Sequence, residues 1–250
     1  MAIYIQSGSG TGTGTESDPY FFSQYSTAFA SAVADSSKLL IYKDGTYTWT
    51  NTIASDSNAG DTANQITHKA ENLHQAIFTN SSRLTISGSP TLKWDSIKFE
   101  SKDHFTYTAG SHMILNQCHV VSQKYGNYLS YTATNSVLEI ESGQTSTTAM
   151  RIVETSSNTI TNCTCADRNN YSSSSASGYF LNGGTAKNCL FYATGSRTAN
   201  PFGSGTMTNC ASFNVGTSGS TITADPLLVD PANGDFRLRP SSPLINKGVA

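Results

Sequence analysis

The segments LNQCHV (115–120), TNCTCA (161–166), KNCLFY (187–192) and TNCASF (208–213) are variants of one short pattern, in which Asn or Gln precedes a cysteine. The cysteines that open the four segments, Cys118, Cys163, Cys189 and Cys210, are separated by 45, 26 and 21 residues. If the longest interval holds two turns, each repeat is about 22 residues long, which is typical of a solenoid.

The repeat predicts strands rather than helices. A helical solenoid needs an amphipathic period of 3.6 residues in every repeat, and that period is absent here. Parallel β-coils need only short strands and polar corners, and Ser, Thr, Asn and Gly make up about two-fifths of this chain. We therefore predict an all-β protein built as one parallel β-helix of roughly eight coils.

The register of the repeat predicts which side chains face inward. A first inward column contains Ile97, Cys118, Ile140 or Leu138, Cys163, Cys189 and Cys210, with the missing coil near 137–140. A second column lies two residues further along each strand, at Phe99, Val120, Cys165 and Phe191. The cysteines are accordingly interpreted as core residues, and no metal site is predicted. The Asn before three of them is placed at a turn, because Asn tolerates left-handed backbone conformations.

The N-terminal region predicts a strand, a Gly/Thr/Ser loop and a helix. The strand is expected at Ile3–Gln6 and the helix from Phe22 to Ala34, with Ser23 as its N-cap. One helix face would carry Tyr25, Phe29, Ala32 and Val33. After the helix, LLIY (39–42) and TYTW (46–49) are two short strands joined at Asp44-Gly45.

Both ends of the chain resemble a known superfamily. IYIQSGSGTGTGTESDPY (3–20), the helix and LLIYKDGTYT (39–48) resemble the first segment of pectate-lyase-like β-helix proteins, and DPLLVDPANGDFRLRPSSPLINKG (225–248) resembles their closing segment. Asn246 and Lys247 depart from the usual Asp and Ala. The resemblance implies a single right-handed β-helix domain over 1–250. Its parts are a strand, loop and capping helix (1–36), the coils (37–222) and a closing segment (223–250) that shields the last coil.

Charge and hydropathy exclude two classes of partner. The net charge is −2, and no basic run offers the footprint of a nucleic-acid binder. No apolar stretch is long enough to span a bilayer, so membrane insertion is not expected. No secretory leader is visible in MAIYIQSGSGTGTG (1–14). Five cysteines cannot all pair within one chain, and free thiols suit a reducing compartment.

One outward-facing cluster has residue types suited to chemistry. If Ile97 faces inward, Lys98 faces outward, with His119 beside it one coil later and Glu139 or Glu141 in the next coil. A lyase of this superfamily would use a Lys or Arg base and Ca²⁺ held by carboxylates. Lys98, His119 and Glu139 are therefore the candidate catalytic residues, with a solvated polar face as the alternative. Ca²⁺ is expected only in the lyase case, and otherwise no cofactor.

Tyr125, Tyr128 and Tyr131 form an aromatic cluster around Gly126. Aromatic faces bind sugars, so these residues are candidate saccharide contacts. The alternative is that they pack at the corner of a coil.

Three functions remain open at the level of sequence, because the superfamily contains enzymes, adhesins and phage tailspikes. The leading interpretation is a non-enzymatic bacteriophage virion protein: a capsid decoration, spike or tail-fibre component, assembled in the host cytoplasm. Its partners would be other virion proteins, itself as a homotrimer, and host surface polysaccharide. The alternatives are a polysaccharide lyase or glycoside hydrolase acting on acidic polysaccharide, and a carbohydrate-binding adhesin, either of which could be secreted.

Overall fold

The computed structural model describes residues 1–49, 52–53, 65–80, 84–86, 91–101, 105–107, 112–122, 131–141, 151–153, 158–168, 179–194, 202–215 and 220–249. Within these ranges there is one α-helix, α1 (Tyr25–Ala34). A 3-10 turn at Phe22–Gln24 precedes it, and another lies at Pro231–Asn233. No helix in the described ranges has the length and apolar character needed to cross a membrane.

Short strands are the main secondary structure of the described residues. In the first half they are β1 (Ile3–Gln6), β2 (Tyr20–Phe21), β3 (Leu39–Tyr42), β4 (Gly45–Thr48), β5 (Thr52–Ile53), β6 (Thr67–Ala70), β7 (Ala76–Asn80), β8 (Leu84–Ile86), β9 (Thr91–Asp95), β10 (Lys98–Ser101), β11 (Phe105–Tyr107), β12 (His112–Asn116) and β13 (His119–Ser122). In the second half they are β14 (Tyr131–Thr134), β15 (Val137–Ile140), β16 (Arg151–Val153), β17 (Thr159–Thr161), β18 (Thr164–Asp167), β19 (Tyr179–Leu181), β20 (Thr185–Lys187), β21 (Leu190–Ala193), β22 (Thr206–Thr208), β23 (Ala211–Phe213), β24 (Leu228–Asp230) and β25 (Asp235–Leu238).

Two long parallel sheets organise these strands. Sheet A has ten strands in the order β2-β1-β3-β6-β9-β12-β14-β17-β20-β22, and sheet B has eight in the order β4-β7-β10-β13-β15-β18-β21-β23. From β3 onward the chain adds one strand to sheet A, then one to sheet B, and returns to sheet A one strand further on. Strands β5, β8 and β11 form a third parallel sheet. This all-β arrangement is consistent with a parallel β-helix.

The second inward column is confirmed. Phe99 pairs with Val120, Leu138 with Cys165, and Cys165 with Phe191, and each of these side chains is at most 4% exposed. The buried apolar side chains form one continuous cluster that reaches from Ile5 to Val215. The interior is therefore filled by inward-facing residues of both sheets.

The predicted first inward column is wrong at one coil. Its members from Ile97 to Cys210 are buried as expected, but Ser136 occupies the position assigned to Ile140 or Leu138. The cause is unequal coil length, because Ser136 follows Cys118 by 18 residues instead of about 22. Strand β15 nevertheless falls at the predicted 137–140.

Cysteine and serine share this column for a physical reason. Each side chain donates a hydrogen bond to the carbonyl two residues earlier, as from Cys118 Sγ to Asn116 O at 3.4 Å and from Ser136 Oγ to Thr134 O at 2.8 Å. Those carbonyls lie where the chain bends between sheets A and B. Each of those carbonyls already accepts a backbone N–H from a neighbouring coil, as Asn116 O does from Ser96 N at 3.0 Å. The small thiol or hydroxyl therefore donates to the second lone pair of the carbonyl, so that its own proton is not buried without a partner.

The bend itself requires left-handed backbone, as predicted for Asn. The residue before each column member has a positive φ, including 53° at Asn162, 53° at Asn188 and 51° at Asn209. The amides form a ladder between coils: Asn188 Nδ2 donates to Asn162 Oδ1 at 3.2 Å, and Asn209 Nδ2 donates to Asn188 Oδ1 at 2.8 Å. Asn is therefore used here both for its backbone tolerance and for its side-chain amide.

Helix α1 ends at the predicted residue but begins later. It buries Ala28, Phe29 and Ala32 against the core. The predicted N-cap, Ser23, is wrong: it lies inside the preceding 3-10 turn, and its Oγ accepts a hydrogen bond from Gly10 N at 3.4 Å. Gln24 occupies the cap position instead.

The closing segment takes an unexpected position. Rather than only shielding the last coil, β24 and β25 pair antiparallel and pack on the outer face of sheet B. Leu228 and Phe236 form a small second apolar cluster with Ala166, Leu190 and Tyr192. Because alternate residues of β18 and β21 face outward, apolar residues at those positions supply a surface that the closing segment covers.

We expect Phe236→Ala to lower the free energy of unfolding by about 2 to 3 kcal/mol, because it removes the central side chain of this small cluster. Urea denaturation measures the loss. Arg237→Ala is the matched control, since its side chain is 80% exposed, and it should change stability by less than about 0.5 kcal/mol. Equal effects of the two substitutions would show that the segment is not held by apolar packing.

Candidate functional site

A polar cleft lies on the part of sheet B that the closing segment leaves uncovered. It has a volume of about 360 Å³. Its lining residues come from successive strands of sheet B and from the turn after β24: Thr48, Thr79, Asn80, Lys98, Glu100, Ser101, His119, Val121, Glu139, Glu141, Arg168, Asn233 and Gly234. It crosses the five strands from β4 to β15, a distance of about 20 Å at normal strand spacing.

Strand register brings the three candidate catalytic residues into this cleft. Lys98 pairs directly with His119, and Val121 pairs with Glu139. All of these side chains face outward, because the residues between them belong to the inward columns. Lys98, His119 and Glu139 thus share one site, while their catalytic role stays a prediction.

Glu139 is the centre of an ion-paired network. Its side chain is only 1% exposed, and its Oε2 lies 2.6 Å from His119 Nε2 while its Oε1 accepts from Arg168 Nε. Burial raises the pKa of Glu139, but the hydrogen bond and charge of His119 and the charge and hydrogen bond of Arg168 outweigh burial and hold that pKa below its usual range. Glu139 is therefore an ionised anchor that orients His119 and Arg168, rather than a proton donor.

The remaining charges of the cleft are also paired. Lys98 Nζ lies 2.6 Å from Glu100 Oε1, and Arg168 Nη2 lies 3.8 Å from Glu141 Oε1. Glu100 and Glu141 are about two-fifths exposed, whereas the Arg168 side chain is 12% exposed. Glu100 and Glu141 are therefore the most exposed charged groups of the cleft, whereas Glu139 and Arg168 are nearly buried.

Arg168 was not among the residues predicted from the sequence. Ile140 pairs with Asp167, so extending the register by one residue places Glu141 beside Arg168. Extending the predicted register by one residue beyond Ile140 would therefore have placed Arg168 in the cleft from sequence alone. Arg168 also donates from Nη1 to Ala232 O at 2.7 Å, which ties sheet B to the closing segment across 64 residues of sequence.

The closing segment forms one wall of the cleft at Gly234. This residue has φ +83°, a conformation that favours glycine, and a Cβ there would lie 3.6 Å from Glu139 Oε2. Glycine is thus favoured here by the left-handed backbone of the turn, because a Cβ at 3.6 Å from the carboxylate would make only an ordinary van der Waals contact.

Of the predicted tyrosine cluster, Tyr131 is the one member within the described residues, and it does not line this cleft. Tyr131 faces the interior of sheet A and is 1% exposed, so it offers no surface to a saccharide. Tyr125 and Tyr128 lie outside the described residues.

The thiols are buried within the core. All five cysteines are free and buried. Burial raises the pKa of Cys118 to about 12 and that of Cys165 well above its usual value, so both stay protonated. In the described part of the chain, no group of three or more His, Cys, Asp or Glu side chains is arranged to hold a metal ion.

Comparisons of the chain with protein-family models, with curated proteins and with solved structures return no match.

Proposed function

We propose that this chain is a non-enzymatic, right-handed parallel β-helix of the pectate-lyase-like superfamily that contacts a saccharide through the cleft on sheet B. The observation that carries the proposal is an elongated polar cleft whose charged groups are already paired with one another. An extended saccharide suits a path of about 20 Å across five strands, lined by hydroxyl, amide and carboxylate groups.

Charge pairing favours binding over catalysis. A general base must be within reach of a substrate proton and free to accept it. Here Glu139 accepts from His119 and Arg168 together, and the Lys98 ammonium is held by Glu100. These pairings fix the shape of the cleft, as a binding surface requires.

We place the protein on a bacteriophage virion, as a capsid decoration, spike or tail-fibre component that assembles as a homotrimer. The chain resembles a superfamily that includes phage tailspikes, which supports this assignment. The free, buried thiols are compatible with assembly in a reducing cytoplasm. Light scattering of the purified protein should give the mass of a trimer, and a stable monomer would contradict that part of the proposal.

The binding proposal predicts saccharide capture without product release. On a glycan array and by calorimetry the protein should bind at least one oligosaccharide. Prolonged incubation should leave that oligosaccharide intact, with no absorbance from unsaturated uronate and no new reducing ends. Lys98→Ala should change affinity only. Failure to bind any saccharide would overturn the proposal.

A lyase is the second candidate, because Lys98 and His119 lie side by side in the cleft. In that case pectin, alginate or host capsule would yield unsaturated uronate in the same assay. Activity that requires Ca²⁺ and is lost in Lys98→Ala or His119→Ala would replace the binding proposal with this one.

A further inference from the structure

We infer that the cleft selects amine-bearing saccharides, such as oligomers of glucosamine with free amino groups, over saccharides that carry uronate. This inference rests on the proposed saccharide contact and names the class of ligand. The proposed ligand class differs from acidic polysaccharide, which is the substrate class of the lyase or hydrolase alternative.

The balance of charge in the cleft is acidic. Among the lining residues the ionisable side chains are Lys98, Glu100, His119, Glu139, Glu141 and Arg168. Three are carboxylates and two are permanent cations. The formal charge is therefore negative with a neutral His119 imidazole and zero with a protonated one, so the cleft attracts a cationic ligand in the first case and has no excess positive charge for an anionic ligand in either case.

The position of the charges strengthens this preference. Glu100 and Glu141 have side chains 41% and 38% exposed, whereas Lys98, Arg168 and His119 are 27%, 12% and 14% exposed. A ligand that enters the cleft therefore meets carboxylate oxygens first. Ammonium groups on the ligand can donate to these oxygens while the existing ion pairs remain in place.

A uronate would have to displace a carboxylate that is already bound. Lys98 Nζ lies 2.6 Å from Glu100. The Arg168 guanidinium is shared among Glu139, Glu141 and Ala232 O. Breaking a pair that involves the nearly buried Glu139 leaves a charge without compensation, so the cleft resists the exchange.

The test compares three matched probes by calorimetry in low salt: glucosamine oligomers, their neutral N-acetylated counterparts and galacturonate oligomers of equal length. We expect the glucosamine oligomers to bind about fivefold or more tightly than the neutral probe, with the advantage reduced in 0.5 M NaCl. Galacturonate should bind most weakly. Tighter binding of galacturonate than of glucosamine would overturn this inference but leave the saccharide contact standing.

A double variant that neutralises two carboxylates tests whether the preference arises in the cleft or elsewhere on the surface. Glu100→Gln with Glu141→Gln leaves Lys98 and Arg168 facing Glu139 alone, so the order of preference should invert toward galacturonate. Glu71→Gln is the matched control, because Glu71 pairs with Lys43 at 2.8 Å outside the cleft. Inversion only in the double variant supports the inference, and unchanged preference in that variant contradicts it. If none of the three probes binds, this inference fails, and the glycan array decides separately whether the proposed saccharide contact stands.

Discussion

Replacing the buried pair Tyr42 and His68 by phenylalanine is expected to make the protein resistant to acid, by about 3 kcal/mol relative to the wild type at pH 4. His68 is fully buried, and its Nδ1 lies 2.8 Å from the Tyr42 hydroxyl. It stacks on Trp94 with ring centroids 4.0 Å apart. In the described part of the chain its other ring contacts are with the aromatic side chains of Tyr25, Phe29 and Tyr42.

Burial of His68 lowers its pKa from 6.5 to about 3. The unfolded chain therefore takes up a proton on His68 below pH 6.5, while the folded chain does so only near pH 3. Stability from this group is unchanged above pH 6.5 and falls as the pH decreases through that window. One pKa unit corresponds to about 1.4 kcal/mol, so the full loss is about 5 kcal/mol.

The measurement is the free energy of unfolding in urea from pH 7 to pH 3.5. The variant Tyr42→Phe/His68→Phe should match the wild type closely at pH 7, since replacing both hydrogen-bond partners by apolar rings leaves neither one unsatisfied. Protonation of carboxylates such as Glu139 also lowers the free energy of unfolding in acid. This effect is the same in both proteins, so it cancels in the difference between them. His112→Phe is the control, because His112 is only partly buried and should protect much less. Parallel pH profiles of wild type and double variant would contradict the prediction.

Asn188→Val is expected to cost about 4 kcal/mol of unfolding free energy. Asn188 has a φ of 53°, where a β-branched side chain meets the strongest steric penalty. Its amide also makes four hydrogen bonds. Nδ2 donates to Asn162 Oδ1 and to Val249 O, and Oδ1 accepts from Asn209 Nδ2 and from Val249 N.

Asn188→Gly separates the cost of losing the amide hydrogen bonds from the cost of backbone strain. Glycine keeps the left-handed backbone without strain but loses the amide, so it should cost only about 2 kcal/mol. Valine adds the steric penalty of about 1 to 2 kcal/mol on top of that loss. Urea denaturation of both variants gives the difference. Equal losses for glycine and valine would show that backbone conformation contributes nothing at this position.

The cleft could be predicted from the sequence only in part. The 21-residue spacing of Ile97 and Cys118 placed Lys98 beside His119, because coils of equal length keep a constant register. The next coil is shorter, and the predicted inward residue there was wrong. Arg168 was missed because its importance arises from a contact with Ala232, far away in the chain.

The repeating architecture of this protein could be predicted from its sequence. A short pattern recurs with alternating inward and outward residues, and its Asn and Cys meet local requirements: left-handed backbone at each bend and a small donor beside it. Such requirements are set by neighbouring residues, so they can be read along the chain. The tertiary structure was needed to show that the closing segment packs on sheet B and borders the cleft at Gly234, because that position depends on packing between surfaces distant in sequence. The same packing buries Glu139, which therefore holds His119 and Arg168 in place instead of remaining a solvated charge.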